Sequence, residues 1–597
     1  MARTADKERV KQWQKRVESA DKVYKKWEET YRCATLENYY LGHQWANQTS
    51  DLSQQKYVIN LCFPSVEIKI PSLLFYRPQV RIEPRPAKTD DPNTNADQRA
   101  SLLRDTLNTF LDDRSVKFKS QTTLALKEAF PRYGVIEVGY TADFIDNPNA
   151  KKPLLHEDGS EMKIGNDPVM NPDRMISRES LFVKRIPSKQ FRVSIQGKNE
   201  LNENDWVGYY EWHHPEDLKK SIRYKNTTTL KATASITQEF SDSTDKSEEN
   251  ERQRGMVKLW KIWDLRGKTR YDFIEGGEKF LLEEEFKFLP LSCLKFHEIW
   301  DEFYPLPPMF NWLHPQNELN ETREMQRVHR RRFYRRYIRT PALSQEEWNK
   351  LEDGGDGVCA EASSTDCIAP IQDAPLDAAL TRNLPQSRED FQEIAGSSSE
   401  SRGVPLADTA TQANIIEQHS RIRETYGRLQ ISLWLEEICL LILMTLKEYM
   451  ALPFWIKTNV DLQGQGATEE TLRVAGLWKE IKASDLGDMN IDVKVDIESL
   501  SPLTEDGRRQ SWEKVLALIL QMPAIGASQI LLRKTLSFYD IKSDREVAEI
   551  QKAMQAIMLM QAQAAAAKSG GQGASPGPTP DNQGIQAQLQ NQMGTVQ

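Results

Sequence analysis

PQNELNETREMQRVHRRRFYRRYIR, residues 315–339, sets eight arginines (Arg323, Arg327, Arg330, Arg331, Arg332, Arg335, Arg336 and Arg339) against three glutamates. Pro315 suits the first turn of a helix, where a missing N–H costs nothing, and Pro341 stops the run just beyond it. Read as one helix, the stretch reaches about 38 Å. Three roles fit it. As a nucleic-acid helix it would meet phosphates through arginine and stack bases on Phe333, Tyr334 and Tyr337. As a solvated face it should carry balancing acids one turn away, and beyond Glu324 it has none. As a subunit-interface helix, its arginines would pair with carboxylates of a neighbouring copy while Val328, Tyr334 and Ile338 pack sideways.

Working outward, FYPLPPMFNWLHPQ (303–316) is a proline-punctuated entry to that helix. After it, Ser344 and Glu347 form a capping-box pattern for a short helix, followed by turns between short strands. Pro385 interrupts the next helical pattern, so only 387–395 reads as helix, closed by Gly396. A Ser/Gly-rich loop leads to a second long helix, opened by Thr409 with Gln412 as its capping box. Ile415, Ile422, Tyr426, Leu429, Leu433 and Leu440 share one face of it.

Upstream, Trp13, Val17, Ala20, Tyr24, Trp27 and Tyr31 step by 4, 3, 4, 3 and 4 and predict an amphipathic helix packed on its own domain. Residues 95–129 read as helix through Leu103, Leu107, Phe110 and Leu111. Residues 78–84, 132–140, 257–288 and 490–502 alternate as strands. Residues 225–254 are polar and read as a surface loop. From 504 to 567 the pattern is helical, and 568–597 has the composition of a disordered tail.

The chain has 597 residues, too many for one compact core, and 39% of them are hydrophobic. With 79 Lys+Arg against 87 Asp+Glu the formal charge is −8, which excludes a protein that simply coats nucleic acid. Six cysteines form no CxxC pair and fit a reducing compartment, and Cys359 and Cys367 read as free thiols. No apolar run at the amino terminus resembles a signal peptide, and the longest apolar run, 438–444, is far short of the ~20 residues that cross a bilayer. A soluble intracellular protein is expected.

Catalysis finds little support. Gly267-Lys268-Thr269 invites a phosphate-loop reading, but Ile262 stands where the loop needs its first glycine, so the triplet reads as a hairpin turn. The eight histidines are scattered, and the one pair, His213-His214, reads as surface or interface. The paired acids Asp112-Asp113 and Asp301-Glu302 read as solvated surface. No metal or cofactor is expected.

Tyr40-x-Gly42-x-Gln44-Trp45, then Asn60, an apolar helix, and Pro78-x-Val80-x-Ile82-x-Pro84 resemble the amino-terminal signature of portal proteins, the head-to-tail connectors of tailed double-stranded DNA bacteriophages. The order of the later elements matches that family too. The resemblance implies an α+β portal fold in an elongated subunit of a ring. It implies a wing over 1–314, a first stem helix over 315–339, a clip over 340–376 and a second stem helix over 377–395. A tunnel loop over 396–408, a tunnel helix over 409–452, a wing return over 453–503, a helical crown over 504–567 and a tail over 568–597 complete the expectation.

By that resemblance the protein is no enzyme. It forms a homo-oligomeric ring, typically dodecameric, at one capsid vertex of the virion after assembly in the host cytoplasm, and double-stranded DNA is packaged and ejected through it without sequence preference. The major capsid protein, a terminase and a tail or adaptor protein are its implied partners, with no membrane. Ser397, Ser398, Ser399 and Arg402 are the tunnel-loop candidates for touching DNA. Arg327, Arg330, Arg331, Arg335 and Arg336 are the candidates for the stem interface or DNA. The competing reading is a DNA-processing or packaging enzyme that grips DNA with the basic helix 315–339. A coiled-coil scaffold is a third reading, against which the many strands count.

Overall fold

A computed structural model describes residues 2–495 apart from 46–54, 75–77, 79, 85–94, 151, 154–162, 165–166, 169, 231–254, 334–336, 354–357, 371–377, 397–409, 458–477 and 487–490. The expected crown and tail, the four tunnel-loop candidates, and Arg335 and Arg336 lie outside the described residues.

Helix α1 (Ala2–Thr30) is amphipathic as its spacing predicts, with Val10, Trp13, Val17, Ala20, Tyr24 and Trp27 all buried. It lies on a five-stranded antiparallel sheet ordered β10-β9-β8-β7-β6. In chain order these strands are β6 (Phe191–Val193), β7 (Trp206–His213), β8 (Val257–Asp264), β9 (Thr269–Ile274) and β10 (Phe280–Glu285). Trp13 meets Trp206 edge-on at 6.0 Å and Tyr271 at 5.4 Å, contacts that add to the burial of large aromatic area. Further along, Trp27 donates its indole N–H to the Pro305 carbonyl at 2.9 Å. The Gly267-Lys268-Thr269 triplet is the β8–β9 hairpin, where the Asp264 carboxylate accepts the Arg266 and Gly267 N–H groups at 3.2 Å each.

A second sheet is ordered β11-β2-β5, from β2 (Gly134–Asp146), β5 (Arg174–Ile186) and β11 (Leu291–Leu294). Near the far end of the β2–β5 hairpin lie the short strands β3 (Lys163–Ile164) and β4 (Asp167–Pro168). Helices α2 (Cys33–Leu41), α3 (Cys62–Leu73), α4 (Asn95–Asp112) and α5 (Phe118–Glu128) share the largest apolar core with these strands. The single helix expected over 95–129 is two. Asp113 accepts the Ser115 N–H at 2.8 Å in an Asx turn, and Lys117 takes φ 54°, a left-handed conformation that no helix interior tolerates.

Strand β1 (Val80–Pro84) pairs antiparallel with β16 (Ile491–Val495), Val80 opposite Val495. Both were legible as strands, but nothing local marks them as partners across some 400 residues. Short helix α6 (Pro215–Lys220) opens at its proline, whose missing N–H is not needed there. Strands β14 (Phe454–Lys457) and β15 (Trp478–Ile481) pair separately.

The basic run departs from expectation. Helix α7 (Leu313–Phe333) begins two residues early, and Tyr337–Arg339 is strand β12, paired with β13 (Ile368–Pro370). An aromatic and a β-branched residue just before Pro341 favour extended backbone over a last helical turn. Between the strands, α8 (Gln345–Asp353) keeps half of its capping box. The Ser344 hydroxyl accepts the Glu347 N–H at 3.3 Å, while the Glu347 carboxylate accepts the Glu361 N–H at 3.0 Å instead of closing the box. Helix α9 (Ala378–Ala395) runs through Pro385 rather than starting after it. Trp312, in the 3-10 turn just before α7, meets Phe391 near the end of α9 at 5.9 Å, and with the two helices packed on each other they run antiparallel.

Helix α10 (Ala410–Tyr449) is the long helix expected after the loop, but its buried face is not the one the spacing marked: Ile431, Leu435, Ile438, Ile442 and Leu446 are buried in the largest core, whereas Tyr426, Leu429 and Leu433 are exposed. Its stretch Tyr426–Tyr449 is long and apolar enough to cross a membrane by length and composition, which a count of uninterrupted apolar residues misses. Most of that stretch is buried within the fold, as a core helix is.

Candidate interface on the basic helix

Helix α7 is two different objects along its length. Its first half, with Leu313, Gln316, Leu319, Asn320 and Thr322 buried, docks on the body. Its second half exposes Met325, Arg330 and Arg331.

The docked half works as a surrogate strand. Residues 57, 59 and 61 of an extended segment turn their N–H groups toward α7, spaced by about 6.6 Å at two residues per repeat. Four residues of helix rise about 6.0 Å, so side chains one turn apart match that spacing. The Glu324 carboxylate accepts the Tyr57 N–H at 2.7 Å, Asn320 the Ile59 N–H at 2.9 Å and Gln316 the Leu61 N–H at 3.0 Å. Gln316 returns a bond from Nε2 to the Ile59 carbonyl at 2.6 Å, and Arg327 donates to the Gln55 carbonyl.

The residues Tyr40, Gly42, Gln44, Trp45 and Asn60 close the same clasp. Gln44 Nε2 donates to Asn60 Oδ1 at 3.2 Å, and Asn60 Nδ2 donates to the Tyr40 carbonyl at 3.1 Å. Asn320 Nδ2 donates to Gln44 Oε1, and Trp45 Nε1 to the Tyr57 carbonyl at 3.1 Å. Gly42 sits at φ 87°, where a side chain would be strained, 3.4 Å from Asn60 Nδ2 at its missing Cβ. These residues therefore hold chain to chain; the chemistry is structural.

Arg327 belongs to the clasp, its Nε 3.3 Å from Glu324 Oε2 one turn back. Arg323 lies over the Tyr57 ring at 5.7 Å. Sequence spacing alone missed this use of Gln316, Asn320 and Glu324, although their four-residue steps are visible once a partner segment is known. Arg330 and Arg331 are exposed, and the loop candidates Ser397, Ser398, Ser399 and Arg402 lie outside the described residues.

Beyond α7, the small unit of β12, α8 and β13 is nearly all surface, with Ile338 56% exposed and, among the described residues, only Leu343 and Cys367 buried. Cys359 is exposed and Cys367 buried, and no disulfide joins them. His213 sits at the end of β7 with Nε2 3.1 Å from Glu211 Oε2. Among the described residues no group of three or more His, Cys, Asp or Glu is placed to hold a metal ion.

No family model and no curated protein matches this chain. Among solved structures, the neck of an empty gene transfer agent (GTA) particle computed with C6 symmetry is similar at 10% identity and a TM-score of 0.33, covering 81% of this chain and 89% of the other. The virion of a native gene transfer agent particle is similar at 10% identity and a TM-score of 0.32 over the same shares. Scores of that size do not define a shared fold, so function has to be argued from the chain's own elements.

Proposed function

We propose that the chain is one subunit of a closed ring of the phage portal type, the channel at one capsid vertex through which double-stranded DNA is packaged and later ejected. One observation carries the reading. An antiparallel helix pair, α7 and α9, brackets an exposed strand–helix–strand excursion and is followed by a 40-residue helix. In this reading α7 and α9 are the stem, residues 340–376 with β12 the clip, α10 the tunnel helix, and the remaining described residues the wing. The ring, dodecameric in the usual portal pattern, would dock a terminase and a tail or adaptor protein, sit against the major capsid protein in the virion, and do no chemistry of its own.

The clasp bears on the competing DNA-gripping reading. Gln316, Asn320, Glu324 and Arg327 are occupied within the subunit, while Arg330 and Arg331 near the end of α7 are exposed. A grip on DNA along the whole run is disfavoured, and an exposed arginine end suited to a neighbouring copy or an adaptor is favoured. The test is the double substitution Arg331→Ala with Arg335→Ala. Loss of ring assembly or of adaptor attachment is expected. Intact assembly with weakened DNA retention alone would assign these arginines to DNA and return the competing reading.

A further inference from the structure

Trp300 is 91% exposed, the most exposed large apolar side chain among the described residues. It is not a loose end. Asp301, next to it, takes φ 56°, and the Leu306 N–H reaches back to the His297 carbonyl at 2.9 Å. With its amide turned so that the nitrogen faces the loop, the orientation that satisfies both of its polar atoms, Asn199 donates to the Ile299 carbonyl at 3.1 Å and to the Glu302 carbonyl. Lys295 Nζ donates to the Asn199 carbonyl at 2.6 Å, tying the Trp300 loop to the adjoining one, where Ile195 is 56% exposed. A bulky aromatic held in water on a braced loop has already met the ordering cost of a contact, which is the character of an interface anchor.

The rim of this anchor is acidic: Glu298, Asp301 and Glu302 are all exposed. Its partner must offer an apolar spot among cations. The outer face of α1 is rich in cations, with Val23 38% exposed beside exposed Lys15, Lys22 and Lys26, and with the acids Glu18 and Glu29 also exposed. Residues 15, 22 and 26 step by one or two helical turns, so the three ammonium groups line one stripe. No ion pair among the described residues engages any of the three. Within one subunit Trp300 stays uncovered, so the match has to be made between copies.

We infer that Trp300 of one subunit seats on the Val23 stripe of α1 of a second copy, its indole over Val23 and the lysine stems, with the acidic rim facing Lys15, Lys22 and Lys26. The inference rests on the ring reading in one respect: two different patches meeting head to tail build an open filament unless the rotation between copies closes, and the ring reading supplies that closure. The anchor differs from the stem arginines, so the two can fail separately.

The experiment follows the assembly of the full chain against concentration by sedimentation, alongside its thermal unfolding. Trp300→Ala should leave the subunit folded, because the side chain stands in water, and should weaken association about thirtyfold or more. Lys22→Glu should weaken it as well, and Lys22→Glu combined with Glu302→Lys should recover most of the loss. Rings of Trp300→Ala that form at wild-type concentrations would overturn the contact and leave the ring standing. A double reversal no better than the sum of its single changes would overturn the pairing. A wild-type chain that remains monomeric would overturn contact and ring together.

Discussion

Glu211 shows how one residue ties charge to fold. It is nearly buried on β7, 2.6 Å from Lys261 Nζ, 3.1 Å from His213, and bonded to Lys184. Burial pushes its carboxyl pKa up, but the His213 bond and the two ammonium groups outweigh burial and hold it well below the ordinary value of 4.5. A folded-state pKa below the unfolded one stabilises above pH 4.5, and that contribution drains away as pH falls through and below that value. Glu211→Gln should therefore lose on the order of 3 kcal/mol at pH 7 and less at pH 3, where the carboxylate's contribution is already falling, flattening the acid limb of urea-unfolding stability. Equal losses at both values would show that packing, not charge, sets its worth. Only the residue types were legible in the sequence here: a Glu and a His two apart on a strand give no hint that Lys184 and Lys261 arrive from other strands.

The mating of helix α7 with the extended segment 55–61 is the decisive element-scale feature. Asn320→Ala removes the acceptor of the Ile59 N–H and the donor to Gln44, and should cost about 1–3 kcal/mol in chemical unfolding. Faster amide exchange at Ile59, with α10 unchanged, would locate the damage in the clasp. A loss spread evenly over the fold would contradict it. Helix α1 was legible from its aromatic steps. For α10 only the helix was legible: the face its spacing marked is exposed at Tyr426, Leu429 and Leu433, while Ile431, Leu435, Ile438 and Ile442 are buried. Elements decided by local backbone chemistry were not legible. Lys117 broke a helix without a glycine or proline to announce it, Pro385 failed to break one, and Tyr337 and Ile338 turned a helical charge run into a strand. The clasp escaped for a third reason: it matches a helix to a strand, and neither periodicity reveals its partner.

At the scale of the whole molecule, order along the chain said more than any motif. The antiparallel pair α7 and α9, the exposed excursion between them and the long α10 were readable as a sequence of elements, whereas the pairing of β1 with β16 across the chain was not. The central claim is that such subunits close into a ring around a channel. Single-particle images of the purified full-length chain test it most directly. The account predicts closed rings with a central hole, built from many 68.7 kDa subunits. A uniform population of isolated 68.7 kDa particles at micromolar concentration would contradict it.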